Sequence, residues 1–462
     1  MRTDAARSPR GFPRAFWVAN TTELFERAAY YSMASFVVIY LGRLGLGRYW
    51  PSLLSSTVLW ALLYFLPILS GTIADQIGFR RSLLVAFVLL TAGYFAMGYP
   101  VWFGGQRLAP IPGKDLTAGW GVGLPVVLGI LLIGAGGSVI KPCISGTVQK
   151  THSGRATLAF AIFYMVINIG SIVGRVVAYW VRTSRSDLSA IYLVAMGCSV
   201  AAFFIVLLTF REPDRPEGAR AAPARTVGRI LLDMVLVLRN PRFAIFLTIL
   251  SGFWFLYNQV YNVLPLYAGK IVEANPAMDL YTTANPVTIV CFQLLVTKLF
   301  GKLKAVRSIV VGTVIIGLAM VINLVPLFAG GGLRAPSVFG LPAGSVFVIL
   351  TVALIAVGEL FTAARTFEWI GAMAPKGQEG LFLGYANLPT AIGALISGWI
   401  GAYIFNEIMC DGASTRPDGL LDVRPGAVAT GWLLLMGIGF ASAAGMWLYN
   451  LWLERRPDAS AA

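Results

Sequence analysis

Apolar runs of about twenty residues, the length that crosses a hydrocarbon core roughly 30 Å thick, recur along the whole chain. Turn and polar signals between them place spans near 16–41, 52–74, 81–103, 120–149, 156–181, 189–210, 242–269, 280–301, 306–329, 343–373, 379–408 and 428–453. Several exceed the minimum crossing length, which permits tilt or extension beyond the bilayer. The longest polar connection follows the sixth span, and part of it is patterned as a short amphipathic helix. The pattern predicts an all-α membrane protein of twelve spans. It has a tail at 1–15, a six-helix bundle at 16–210, a basic linker at 211–241, a second bundle at 242–453 and a tail at 454–462.

Composition agrees: 57% of the 462 residues are hydrophobic and 12% charged. Arg2, Arg7, Arg10 and Arg14 crowd the first residues, and no small-residue cleavage site follows a short apolar core, so no cleavable leader is expected. The net charge of +15 would suit nucleic acid, but its distribution argues against that partner. With an even number of spans both termini share a side. Placing that side in the cytoplasm puts 22 of the 36 Lys and Arg there, 10 opposite and 4 within spans. This is the positive-inside bias of a multi-pass protein of the cell (inner) membrane, with the lipid bilayer as its surroundings. Cys143, Cys198, Cys291 and Cys410 are scattered, and His152, the only histidine, lies in a polar loop. No metal site or cofactor is expected.

The loop between the second and third spans reads GTIADQIGFRR. Gly71, Asp75, Gly78, Arg80 and Arg81 resemble the loop signature of the major facilitator superfamily, with Gln76 at its first basic position. Glycines allow a tight turn and close helix approach, and Asp75 is placed to meet a helix end or an arginine. The expected role is conformational. Six spans plus six with a basic central loop also fit that superfamily's fold, two bundles around a central cavity.

Ionisable groups at membrane depth are costly unless paired or hydrated. The short set here is Glu23, Glu26, Arg27, Lys141, Arg175, Glu359, Arg365 and Glu368. At helical spacing Glu23, Glu26, Arg27, Tyr30 and Ala34 share one stripe, with Tyr31 at its edge. Two readings fit: a face turned to a wet cavity, or a structural salt bridge that locks helix packing. Lys141 lies deep in the fourth span within GAGGSVIKPCISG. Pro142 frees a backbone carbonyl one turn earlier, and Glu23 or Glu26 would supply the lysine's anionic partner. Asn168 in the fifth span suits either a polar ligand or interhelical bonding. Glu359 is an isolated carboxylate in VGELFTAARTFEW, a candidate proton carrier, whereas Glu368 points the opposite way and is expected to pair with Arg365.

Together these stretches resemble the proton-coupled oligopeptide transporter family of the major facilitator superfamily. Its first-span signature E-x-x-E-R-F-x-Y-Y-G stands here as ELFERAAYYS, and its fifth-span F-Y-x-x-I-N-x-G-S as FYMVINIGS. Lys141-Pro142, FWFLYNQVYNVL, Asn285-Pro286 and Gly358-Glu359-Leu360 continue the match in order across both halves. The resemblance implies proton coupling through Glu23, Glu26, Arg27, Lys141 and Glu359, with protons as the coupling ion. It implies a substrate pocket of Arg27, Tyr30, Tyr31, Lys141 and Asn168 on one side. Trp254, Asn258, Asn285, Glu359 and Tyr385 would form the other, with Glu359 near a peptide's amino group. The chain departs from the family at Ala34, where an arginine is usual, at Asn258 for a glutamate, at Ala363-Ala364 for Ser-Pro and at Tyr385 for a tryptophan. Residues 211–241 are also too short for the two extra helices common in bacterial members.

The expected function is a proton-driven importer of di- and tripeptides working by alternating access, a task one copy of the chain can perform. The runner-up keeps the fold and changes the cargo to nitrate, an amino acid or a modified peptide. No Walker sequence, HExxH or GxSxG is present, so neither ATP drive nor an intramembrane enzyme is expected. The chain also lacks the sizeable soluble domain expected of a receptor.

Overall fold

A computed structural model of the protein describes residues 11–111, 117–151, 155–212, 238–328, 332–337, 340–373 and 385–455, with positions 228, 232 and 236 between. The twelve spans are all present. The first is Arg14–Ala34, continued by Val37–Arg43. The second runs from Trp50 to Ile77 through a π-helical turn at Leu53–Leu59 and a break before Pro67. The third to sixth are Phe79–Trp102, Trp120–Thr151, Ala156–Arg185 and Ala190–Thr209. The seventh, Pro241–Val272, has a 3-10 turn at Gln259–Tyr261 and a π turn at Ala268–Val272. The rest are Met278–Phe300, Ala305–Phe328, Ala343–Met373, Leu388–Met409 and Pro425–Glu454. Eleven are long and apolar enough to cross a membrane. The first is the exception because its helix carries Glu23, Glu26 and Arg27 close together.

Local sequence explains the joints. Pro241 opens the seventh span at a position that needs no donor, and the Asn240 side chain accepts from the Arg242 and Phe243 amides. Gly78 turns the chain between the second and third spans at φ 94°, a conformation that favours glycine. The Asp75 side chain lies outside the described residues. Glu212 meets the third helix's N-terminus, accepting from the Phe79 amide at 2.7 Å and the Arg80 amide at 3.0 Å. Arg80 in turn donates to the Leu207 carbonyl at 2.7 Å, and Arg81 is exposed. Gly71 brings the second span against Pro142 of the fourth: a Cβ there would stand 3.3 Å from the proline's own Cβ. His152 and most of the 211–241 linker lie outside the described residues.

The two halves repeat one packing scheme. The first span packs on the fifth and sixth as the seventh packs on the eleventh and twelfth, and the third on the fourth and sixth as the ninth on the tenth and twelfth. Between the halves the second span meets the eleventh and the fifth meets the eighth, as a two-fold repeat requires.

Contacts between the halves gather at the face opposite the termini. Arg182 grips Asp279 through two hydrogen bonds of 2.7 and 3.0 Å. Arg43 donates to the Ala274 carbonyl and to Asn275 Oδ1, and Tyr49 donates to Glu407 at 2.7 Å. Ser35 and Thr282 share a 2.6 Å hydrogen bond. Outside this seam a vestibule of about 310 Å³ is lined by Arg43, Arg182, Asp187 and Asn275 among others. At the terminus face the arrangement differs. From Val290 to Phe300 every residue of the eighth span is exposed or half-exposed, on all sides of the helix, and lipid alone would expose only one side. Among the described residues, the halves are closed at the far face and splayed at the terminus face.

Candidate functional site

The cleft between the halves is built first from the charged stripe of the first span. Arg27 Nε lies 2.5 Å from Glu26 Oε2 and 3.4 Å from Glu23 Oε1. Both glutamates are 1% exposed. The guanidinium carbon stands 5.6 Å from the Tyr30 ring centroid and 6.0 Å from that of Tyr31, distances at which the ring quadrupole attracts a cation. This density of charge sits where the first helix is clamped by the fifth. A Cβ on Gly170 would fall 2.6 Å from the Leu24 carbonyl oxygen, so only glycine permits the approach.

Lys141 does not join an ion pair. The expectation of a buried lysine on Glu23 or Glu26 is corrected: Arg27 holds both carboxylates, and Lys141 is exposed in the cleft with no carboxylate of a described residue within 4.0 Å. It remains within electrostatic reach of Glu23, Glu26, Arg27 and Glu359. Ser145 donates to the Lys141 carbonyl at 2.7 Å, and the Ser138 carbonyl, which lacks its amide donor at Pro142, accepts from Ser70 of the second span at 2.8 Å.

Facing this cluster, the tenth span presents Glu359. Asn285 Nδ2 of the eighth span donates to its Oε2 at 3.2 Å, and Tyr257 of the seventh lies within electrostatic reach of the same carboxylate. Trp254 packs edge-on to Tyr257 at 5.3 Å, with a buried indole N–H that has no partner. An aromatic seam joins the halves: Trp60 of the second span lies 5.4 Å from Tyr64, 6.2 Å from Tyr257 and 5.2 Å from Tyr261. Asn168 is nearly buried and donates to the Tyr164 carbonyl one turn back.

One of the expected pocket residues is elsewhere. Asn258 is fully buried between the seventh and eleventh spans, where its Oδ1 accepts from Ser397 at 2.7 Å. The Ser397 hydroxyl also accepts from Gln259, so an amide at position 258 completes a helix-to-helix network and is turned from the cleft. Tyr385 is 1% exposed and belongs to the apolar core. Arg365 pairs with Glu368 at 2.5 Å and donates to the Gly301 carbonyl, away from Glu359, as the spacing predicts.

Several residues with no assigned role in the sequence reading also reach the site. Tyr64, Tyr257 and Tyr261 are within electrostatic reach of Glu359. Arg175 is 0% exposed, bonded to Ser171 and Tyr261, with its guanidinium 4.4 Å from the Tyr31 ring centroid. The signal was available: positions 164, 168, 171 and 175 share one face of the fifth span. Among the described residues no group of His, Cys, Asp and Glu could hold a metal ion. The cleft has opposed charges, hydroxyl donors and aromatic walls, which suits binding of a small amphoteric solute and offers no nucleophile–base pair.

Comparison with known proteins bears on family and fold. The Major Facilitator Superfamily profile matches residues 52–355. Dipeptide and tripeptide permease A of Edwardsiella piscicida is 24% identical over 458 aligned residues, covering 84% of this chain and 86% of the relative. The permease of the same name from Chromobacterium violaceum is 23% identical, with 98% and 97% covered. A crystal structure of a POT family transporter in complex with 5-aminolevulinic acid superposes with a TM-score of 0.72 at 18% identity, covering 96% of this chain and 97% of that one. That likeness establishes the fold.

Proposed function

The chain belongs to the Major Facilitator Superfamily, and from that premise we propose that it is a proton-coupled importer of di- and tripeptides. It is a multi-pass membrane protein, and the coupling ion in this reading is the proton. The observation that carries the reading is the cleft's polarity. Arg27 and Lys141 stand on one bundle and Glu359 on the other, with the aromatic seam between them. A zwitterionic peptide needs an anion receptor, a cation receptor and donors for its amide bond. The permeases matched over most of their length support the same substrate class.

The positive-inside bias orients the termini to the cytoplasm, so this conformation is the inward-facing one, closed by the Arg182–Asp279 seam. Coupling follows from competition for Arg27. With Glu23 and Glu26 ionised, the guanidinium is held by both. A proton on either carboxylate releases part of that hold and leaves Arg27 and Lys141 to a substrate carboxylate. Its departure to the cytoplasm restores the internal ion pair and expels the peptide. Glu359 follows the same logic for the amino end. Each ligand shifts the balance of inward and outward states only by its difference in affinity for them.

The second reading keeps the coupling and changes the cargo to an amino acid, nitrate or a modified peptide. The removal of Asn258 from the cleft and the small Ala34 favour it, because the walls differ from the family pattern. Uptake of labelled dialanine into proteoliposomes separates the two. Competition by unlabelled trialanine but not by alanine supports the first reading, and competition by alanine or nitrate supports the second.

A further inference from the structure

Arg175 is a fully buried in-span cation that the coupling scheme leaves unused. It is 0% exposed, and no carboxylate of a described residue lies within 4.0 Å of it. Its partners are hydroxyls: Ser171, one turn back on its own helix, and Tyr261 of the opposite half at 3.2 Å. Its face rests on Tyr31, and its Nε–H is buried with no partner at all. Burying a guanidinium is costly unless a carboxylate and hydrogen bonds compensate it, and two neutral hydroxyls and a ring do so only in part.

Its place is specific. Tyr164, Asn168, Ser171 and Arg175 form one stripe of the fifth span, running from the cleft toward the closed far face. Tyr31 and Tyr261 each lie within electrostatic reach of both Arg175 and Glu359. One of the two hydroxyls holding the guanidinium belongs to the other bundle, so opening the far face withdraws it. The same motion separates the eighth span from the fifth and admits solute on that side.

We propose that Arg175 is a specificity-determining anion receptor, engaged when the far face is open, which binds the carboxylate end of the incoming substrate. When the bundles close, Tyr261 takes the guanidinium back, and the carboxylate passes to Arg27 and Lys141. A planar guanidinium suits this first contact, since its fork matches a carboxylate and its flat face keeps its stacking on Tyr31.

The inference rests on the peptide reading for its substrate and is tested by a ratio of affinities. In proteoliposomes the wild type should take up dialanine with a KM about tenfold or more below that of its C-terminal amide. Arg175→Gln should shrink that ratio by about threefold or more, chiefly by raising the KM of the free acid, while Arg27 and Lys141 keep the remaining preference. An unchanged preference, or equal losses for both peptides, means a structural arginine and overturns the proposal. Should Arg175→Gln fail to fold, Tyr261→Phe decides. Removing the competing hydroxyl should lower the KM of the acid and leave that of the amide; no change, or the same change in both, refutes it. If the wild type transports neither peptide, the peptide reading has failed, and nitrate alone becomes the probe. Thermal stabilisation of the wild type that is lost in Arg175→Gln upholds an anion receptor there, and the same response in both proteins overturns it.

Discussion

Asp279→Ala removes the acceptor for both N–H groups of Arg182, on the face where the halves meet. Asp279 is fully buried and Arg182 is 13% exposed, so solvent does little to replace the lost partner. Leaving one member of a buried ion pair uncompensated costs about 3–5 kcal/mol. Here the two residues sit on opposite bundles, and the pair exists only while the far face is closed. The cost therefore falls on one side of the conformational balance. At 1.4 kcal/mol per factor of ten, even about 3 kcal/mol moves the ratio of closed to open by ~100-fold. The assay is a spin-label distance measurement between Cys at positions 185 and 280, in a background without the four native cysteines. The variant should show a longer distance that is minor or missing in the parent. The doubly apolar Arg182→Met/Asp279→Leu should return toward the parent, because it leaves no buried charge alone. A distance distribution unchanged by Asp279→Ala would refute the idea that this pair holds the far face shut.

Other predictions address the cleft and its frame. Lys141→Ala and Glu26→Gln should each abolish proton-driven uptake while the purified proteins keep a cooperative thermal transition. Normal acid-stimulated uptake by either would remove it from coupling. Glu359→Gln should weaken free dipeptides more than dipeptides acetylated at the amino end, as competition assays can measure; equal losses would separate Glu359 from amino-group recognition. Gly170→Ala drives a methyl toward the Leu24 carbonyl and should cost about 1–3 kcal/mol of stability. A melting temperature equal to the parent's would show that the first and fifth spans yield more easily than the geometry implies.

The spans were readable because lipid allows only one economical use of a long apolar run, and the charged stripe of the first span because three charges at helical spacing share one face. Other features depend on partners that are distant in sequence. Nothing near Lys141 states that Arg27 takes both carboxylates. Asn258 reads as a pocket residue until the eleventh span places Ser397 against it. Nothing in the signature loop announces Glu212, more than a hundred residues on, which accepts from the Phe79 and Arg80 amides. Arg175 lay in plain view among the in-span charges. Its importance comes from Tyr261 and Tyr31, which tertiary packing alone brings to it.

The central claim is coupling of peptide movement to protons, and accumulation tests it most directly. Proteoliposomes holding the purified protein are given labelled dialanine with an acidic exterior, and the internal concentration is followed before and after the gradient is collapsed with a protonophore. The account predicts accumulation above the external concentration that disappears on collapse. Uptake that only equilibrates, with the same rate and extent at equal pH on both sides, would contradict it.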